Sequence, residues 1–184
     1  YEHFHYHCDV LIVGGGIRGI EDIEKLLKVG ADRVAINTHA ISNPEFINEA
    51  ARVFGSSTII ISIEVIKQKN EKYYAFTDNG REFTGICAIK WAQEAERRGA
   101  GEILLTSIDR EGTGKGFELP LINEISELIK IPLIVHGGAG HVDDFIETCN
   151  SSRVDGFAVS SALHYSLLSN NRIEHSVLNA KNHE

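Results

Sequence analysis

Leu133-Ile134-Val135-His136-Gly137-Gly138 repeats Leu11-Ile12-Val13-Gly14-Gly15-Gly16 almost letter for letter, and the reading of the fold rests on that repetition. Each copy is a short apolar run stopped by glycines, the pattern of a strand buried on both faces and ended by a tight turn. The likeness runs on into Ile20-Glu21-Asp22-Ile23 against Val142-Asp143-Asp144-Phe145. After one residue of slippage it continues in residues 32–38 (DRVAINT) against 155–161 (DGFAVSS). One strand–helix–strand unit is therefore present twice.

Around the two copies, strand and helix alternate. Strands are predicted over residues 10–13, 33–37, 58–65, 102–107, 132–135 and 156–159. Apolar residues at helical spacing (Ile20, Ile23, Leu26, Leu27) predict a helix stopped by Gly30, and Asn43-Pro44 opens the next. Further helices are predicted over 88–98, 119–129 and 142–149. Residues 73–77 and 81–84 flank Asp78-Asn79-Gly80, a hairpin-turn signal that interrupts the alternation. Such alternation means a parallel sheet with right-handed crossovers, which an open doubly wound sheet satisfies as well as a barrel. The duplication favours the barrel: a (β/α)8 TIM barrel built from two similar halves. Six units are legible where eight close a barrel, so the first two strand–helix units, roughly a quarter of a ~250-residue barrel, are expected to be missing. Residues 1–184 are then one partial barrel domain, with a polar C-terminal tail over 170–184. With two sheet edges exposed, the isolated chain is expected to aggregate or self-associate.

Composition excludes several classes of function. The net charge is −8 with both signs interspersed, so no basic cluster exists to neutralise nucleic-acid phosphates. The longest apolar runs, such as residues 58–63, are too short to cross a bilayer, and no secretory signal is expected. Three dispersed cysteines indicate reduced thiols, and the expected location is cytoplasmic. Cys87 and Cys149 read as buried helix residues. His3, His5, His7 and Cys8 share one face of an extended segment, but no further ligand follows at a useful spacing, so neither a metal nor a cofactor is expected.

Glycine turns at the C-terminal ends of barrel strands bring backbone N–H groups close to a ligand, a phosphate-binding arrangement as well as a way to turn tightly. One candidate socket uses Gly15, Gly16, Asn37 and Thr38. The other uses Gly137, Gly138, Ser160 and Ser161, with Gly112. Two sockets across one mouth imply a substrate with phosphate at both ends. Carboxylates at strand ends face the same mouth, where acid–base chemistry is done: Glu64, Asp109 and Glu111.

The segments VGGGI, ADRVAINT, NPEFI, GAGEILLTSIDREGTGKGF and HGGAG, in this order and spacing, resemble the cyclase subunit of imidazole glycerol phosphate synthase. The resemblance implies a (β/α)8 barrel that takes ammonia from a glutaminase subunit in a heterodimer. The ammonia cleaves and cyclises a bis-phosphorylated ribulosyl-formimino nucleotide, giving imidazole glycerol phosphate for histidine synthesis and an aminoimidazole carboxamide nucleotide. It implies phosphate binding at Gly16, Asn37 and Thr38 and at Gly112, Gly138, Ser160 and Ser161. It also implies proton transfer at Glu64 and an ammonia gate including Arg33 and Glu102. Three positions depart from the family pattern: Glu64 and Glu111 replace Asp, and His136 replaces a small residue. Those departures fit a second reading, a same-fold paralogue relaying glutaminase-derived ammonia to another synthase, such as one amidating surface-polysaccharide sugars. A third reading is a non-catalytic fragment that binds phosphates.

Overall fold

The structure is a computed structural model and describes residues 10–164. The segment carrying His3, His5, His7 and Cys8, and the tail over 170–184, lie outside the described residues. In chain order, the elements begin with β1 (Ile12–Gly14), α1 (Ile20–Lys28), β2 (Arg33–Ile36), α2 (Thr38–Ser42) and α3 (Glu45–Phe54). A 3-10 turn (Ser56–Thr58) leads into β3 (Ile59–Lys67), and the hairpin β4 (Tyr73–Thr77) and β5 (Glu82–Cys87) follows. The rest are α4 (Ala88–Arg97), β6 (Glu102–Ser107), α5 (Leu119–Leu128), β7 (Leu133–His136), α6 (Val142–Ser151), β8 (Gly156–Ala158) and α7 (Ser161–His164).

Six strands run parallel in the order β1-β2-β3-β6-β7-β8, a curled, partial (β/α)8 barrel, and the hairpin attaches to β3. Side chains alternate across the sheet. Val34, Ile36, Ile59, Ile61, Ile63, Ile103, Leu105, Leu133 and Val135 point outward into the helices and are fully or almost fully buried. Each such side chain contributes about 2 kcal/mol of burial free energy. Their neighbours Ala35, Ser62, Glu64, Leu104 and Ile134 line the concave face and are only half-buried.

The helices answer that outer layer with one apolar face each. In α4 the buried residues are Ala88, Trp91, Ala92 and Ala95, spaced as a single helical stripe. In α5 they are Leu121, Ile122, Ile125 and Ser126, after a proline in the first turn, where the missing N–H costs nothing. Gly30, at φ +109, stops α1 as predicted. Asp78 and Asn79 both adopt positive φ (52° and 56°), the turn anticipated from the Asp-Asn-Gly sequence.

Four details differ from the sequence reading. The short helix α2 was not anticipated, and Asn43 gives α3 no side-chain cap; its carbonyl accepts the Phe46 N–H instead. Cys87 closes β5 rather than sitting in a helix, while Cys149 does lie in α6; both are half-buried. Finally, β3 runs past Glu64 to Lys67, because β4 pairs antiparallel with its last four residues. Glu64 is therefore inside a strand, not at its end. Among the described residues, no helix is long and apolar enough to cross a membrane.

Candidate active site at the strand C-termini

The parallel register sets one row of side chains across the concave face near its C-terminal rim. Glu64 on β3 is level with Thr106 on β6, Thr106 with His136 on β7, and His136 with Ala158 on β8. Just beyond this row lie the loops that carry the candidate functional residues.

On the β7–β8 side the sequence-predicted group comes together. A shallow, solvent-open cleft is lined by Glu111, Gly112, Gly137, Gly138, Ser160 and Ser161, with His136 in its wall. The turn is held by close backbone packing. A Cβ on Gly137 would stand 2.4 Å from the Ser107 carbonyl oxygen, and one on Gly138 would stand 2.1 Å from that of Gly116. The Gly116 N–H donates to the Gly138 carbonyl at 2.9 Å, tying the β6–α5 loop to this turn. Both glycines also have φ near +100° (93° and 110°). Glycine is therefore required twice over here, by backbone conformation and by space.

The β1–β2 side is more open. Gly15 and Gly16 have positive φ, yet a Cβ on either would meet nothing within 4 Å. Asn37 follows β2 and Thr38 begins α2, so both stand at the neighbouring strand end. The Asn37 side-chain amide donates to the Phe76 carbonyl at 3.3 Å, and its buried Oδ1 has no hydrogen-bond partner.

The three carboxylates differ in what they hold. Glu64 accepts the Gly80 N–H at 2.9 Å, so the hairpin turn orients it. Asp109 is exposed and accepts the Lys67 N–H at 2.7 Å, capping the end of β3. Glu111 is exposed at the cleft. At the opposite end of the strands, Arg33 and Glu102 pair at 2.8 Å across β3, with Glu102 buried.

The sequence that builds this rim is similar to that of known proteins. The profile of a family described as "Histidine biosynthesis protein" matches residues 6–169. The chain belongs to this family. Relatives named imidazole glycerol phosphate synthase subunit HisF include one from Legionella pneumophila, 51% identical over 73% of this chain and 64% of its own length. Another, from Streptococcus mutans, is 42% identical over 83% of this chain and 61% of its own length. A third, from Pyrobaculum aerophilum, is 44% identical over 86% and 62% respectively. The chain thus spans less than two thirds of the length of these relatives.

Sequence reasoning missed one cluster in this family member. Glu118, buried just before α5, accepts the Tyr73 hydroxyl at 2.7 Å and the Arg110 Nε–H at 2.7 Å. Burial alone would raise the Glu118 carboxyl, but these two hydrogen bonds, together with the Arg110 and Lys67 charges, outweigh it and hold the group below the usual carboxylate value. Burial, and then the bond to Glu118, push the Tyr73 phenol far above its ordinary value. The cluster joins the hairpin to the loop bearing Glu111 and Gly112. Only the Glu118-Leu119-Pro120 helix start hinted at it, because its partners lie far apart in sequence.

Proposed function

We propose that the protein is an ammonia-dependent cyclase and lyase of histidine biosynthesis. It converts a bis-phosphorylated ribulosyl-formimino aminoimidazole carboxamide nucleotide into imidazole glycerol phosphate and an aminoimidazole carboxamide nucleotide. Ammonia comes from a separate glutaminase subunit. The observation that carries this reading is the glycine-and-serine cleft of Gly112, Gly137, Gly138, Ser160 and Ser161 on a strand-end rim shared with Gly15, Gly16, Asn37 and Thr38. Backbone N–H groups and hydroxyls suit the phosphate ends of such a substrate. The name carried by the relatives supports the cyclase over an ammonia-relaying paralogue or a non-catalytic fragment.

In this reading Glu64 transfers protons at the reacting centre. The Gly80 N–H holds one of its oxygens at 2.9 Å, which offsets the freedom of the longer glutamate side chain. Glu111, at the cleft edge, faces the same chemistry, and Asp109 fixes the loop between them by capping β3. Arg33 and Glu102 form a charged gate for ammonia at the far end of the strands.

The test is turnover of that nucleotide by the full protein, with ammonium salt replacing the glutaminase. Turnover lost in Glu64→Gln, with nucleotide binding retained, is the expected result. Binding without turnover in the unmutated protein would reject the cyclase reading. Absence of any binding would reject the sockets as well.

A further inference from the structure

The second socket has a charge problem. A phosphomonoester brings close to two negative charges, and Glu111 at the same cleft adds another. No lysine or arginine is among the described residues lining it. Arg110, the nearest guanidinium in sequence, is committed to Glu118. Among the described residues lining the cleft, His136 is the one whose side chain can carry positive charge.

His136 is built into the cleft wall. Its Nδ1 lies 3.4 Å from the Thr106 hydroxyl, a long contact. Its register neighbour is Ala158, and Gly137 and Gly138 follow it directly in the same lining.

We propose that His136 is a phosphate ligand of the second socket, supplying the N–H and positive charge that the backbone and hydroxyl lining lacks. This rests on the reading of the cleft as a phosphate socket and adds a residue to it. The group recognised is the phosphomonoester end of the substrate. A neutral small residue at this position would leave the anion to amides and hydroxyls alone, and charge-assisted hydrogen bonds are roughly twice as strong as neutral ones.

The test uses the full chain with inorganic phosphate as probe. Binding is followed by calorimetry and by the His136 ring resonances in nuclear magnetic resonance. The ring signals are expected to shift saturably, with the dissociation constant seen by calorimetry. His136→Ala should weaken phosphate binding about tenfold, equivalent to about 1.4 kcal/mol. His136→Gln, which keeps a neutral N–H donor, should fall between the two, and it carries the test if the alanine variant does not fold. Equal or tighter binding by these variants, or ring signals that phosphate leaves unmoved, would overturn the proposal. Ser161→Ala separates the two readings. If it weakens binding while His136→Ala does not, the socket stands and the histidine role falls. If phosphate does not bind saturably to the unmutated chain, both fall.

Discussion

The two copies of the strand–glycine–helix unit are nearly the same in sequence and very unlike in surroundings. Leu133 is fully buried, whereas its counterpart Leu11 is 42% exposed. Gly137 and Gly138 are clamped by the carbonyls of Ser107 and Gly116, whereas Gly15 and Gly16 face open space. Locally the copies agree closely. Asp32 accepts the Leu11 N–H at 2.7 Å, and Asp155 accepts the Leu133 N–H at 2.9 Å. Asp22 accepts the N–H four residues before it at 3.0 Å, and Asp144 does the same at 2.8 Å. Short-range sequence thus builds the same unit twice. What differs is the neighbour: β7 lies between two strands and under the β6–α5 loop, whereas β1 ends the described sheet.

The contrast should be largest at the glycines. Gly138→Ala adds a clash with the Gly116 carbonyl to a positive-φ penalty, and a loss of about 4 kcal/mol is expected. Gly16→Ala carries only the conformational penalty, about 1.5 kcal/mol. Urea unfolding of the full protein checks both, and equal losses would erase the distinction drawn here.

Next come the leucines. Leu133→Ala opens a cavity in the core and should cost about 3 kcal/mol, while in the 184-residue chain Leu11→Ala should cost about 1 kcal/mol or less. A third experiment asks what holds the loop over the second copy. The folded Glu118 carboxyl titrates below its unfolded value, so its stabilisation is full above the ordinary carboxylate range and fades as pH falls through the folded value. Glu118→Gln should therefore lose about 2 kcal/mol near neutrality, with the deficit shrinking below about pH 4. A deficit constant across acid pH would mean the carboxylate charge is irrelevant to the clasp.

The smallest difference is expected where the copies agree. Asp32→Ala and Asp155→Ala should each cost about 1 kcal/mol, equal within about 0.5 kcal/mol. A large excess for either would show that tertiary surroundings reach even these local bonds.

Much of the strand-end rim was legible in advance, since Gly137, Gly138, Ser160 and Ser161 stand at strand ends that periodicity locates. The approximate place of Glu64 near the strand C-terminus was legible, but its position inside a strand was not. The antiparallel pairing of Tyr73–Thr77 that extends β3 depends on a contact no local pattern announces. The Tyr73–Glu118–Arg110 clasp escaped for the same reason: the hydroxyl and the carboxylate belong to separate elements brought together by packing.

Sequence by itself determined the unit: apolar runs that bury both faces, glycines where φ must be positive, and aspartates that cap the neighbouring backbone. These rest on interactions within one strand–helix–strand repeat, and so recur wherever the repeat recurs. Only the tertiary structure decided which copy became a tight cleft. It did so through the end of β6 and the β6–α5 loop, whose carbonyls reach one glycine turn and leave the other open. It also placed His136 beside Thr106 on that cleft, because register across neighbouring strands, not spacing along the chain, sets which side chains share a rim.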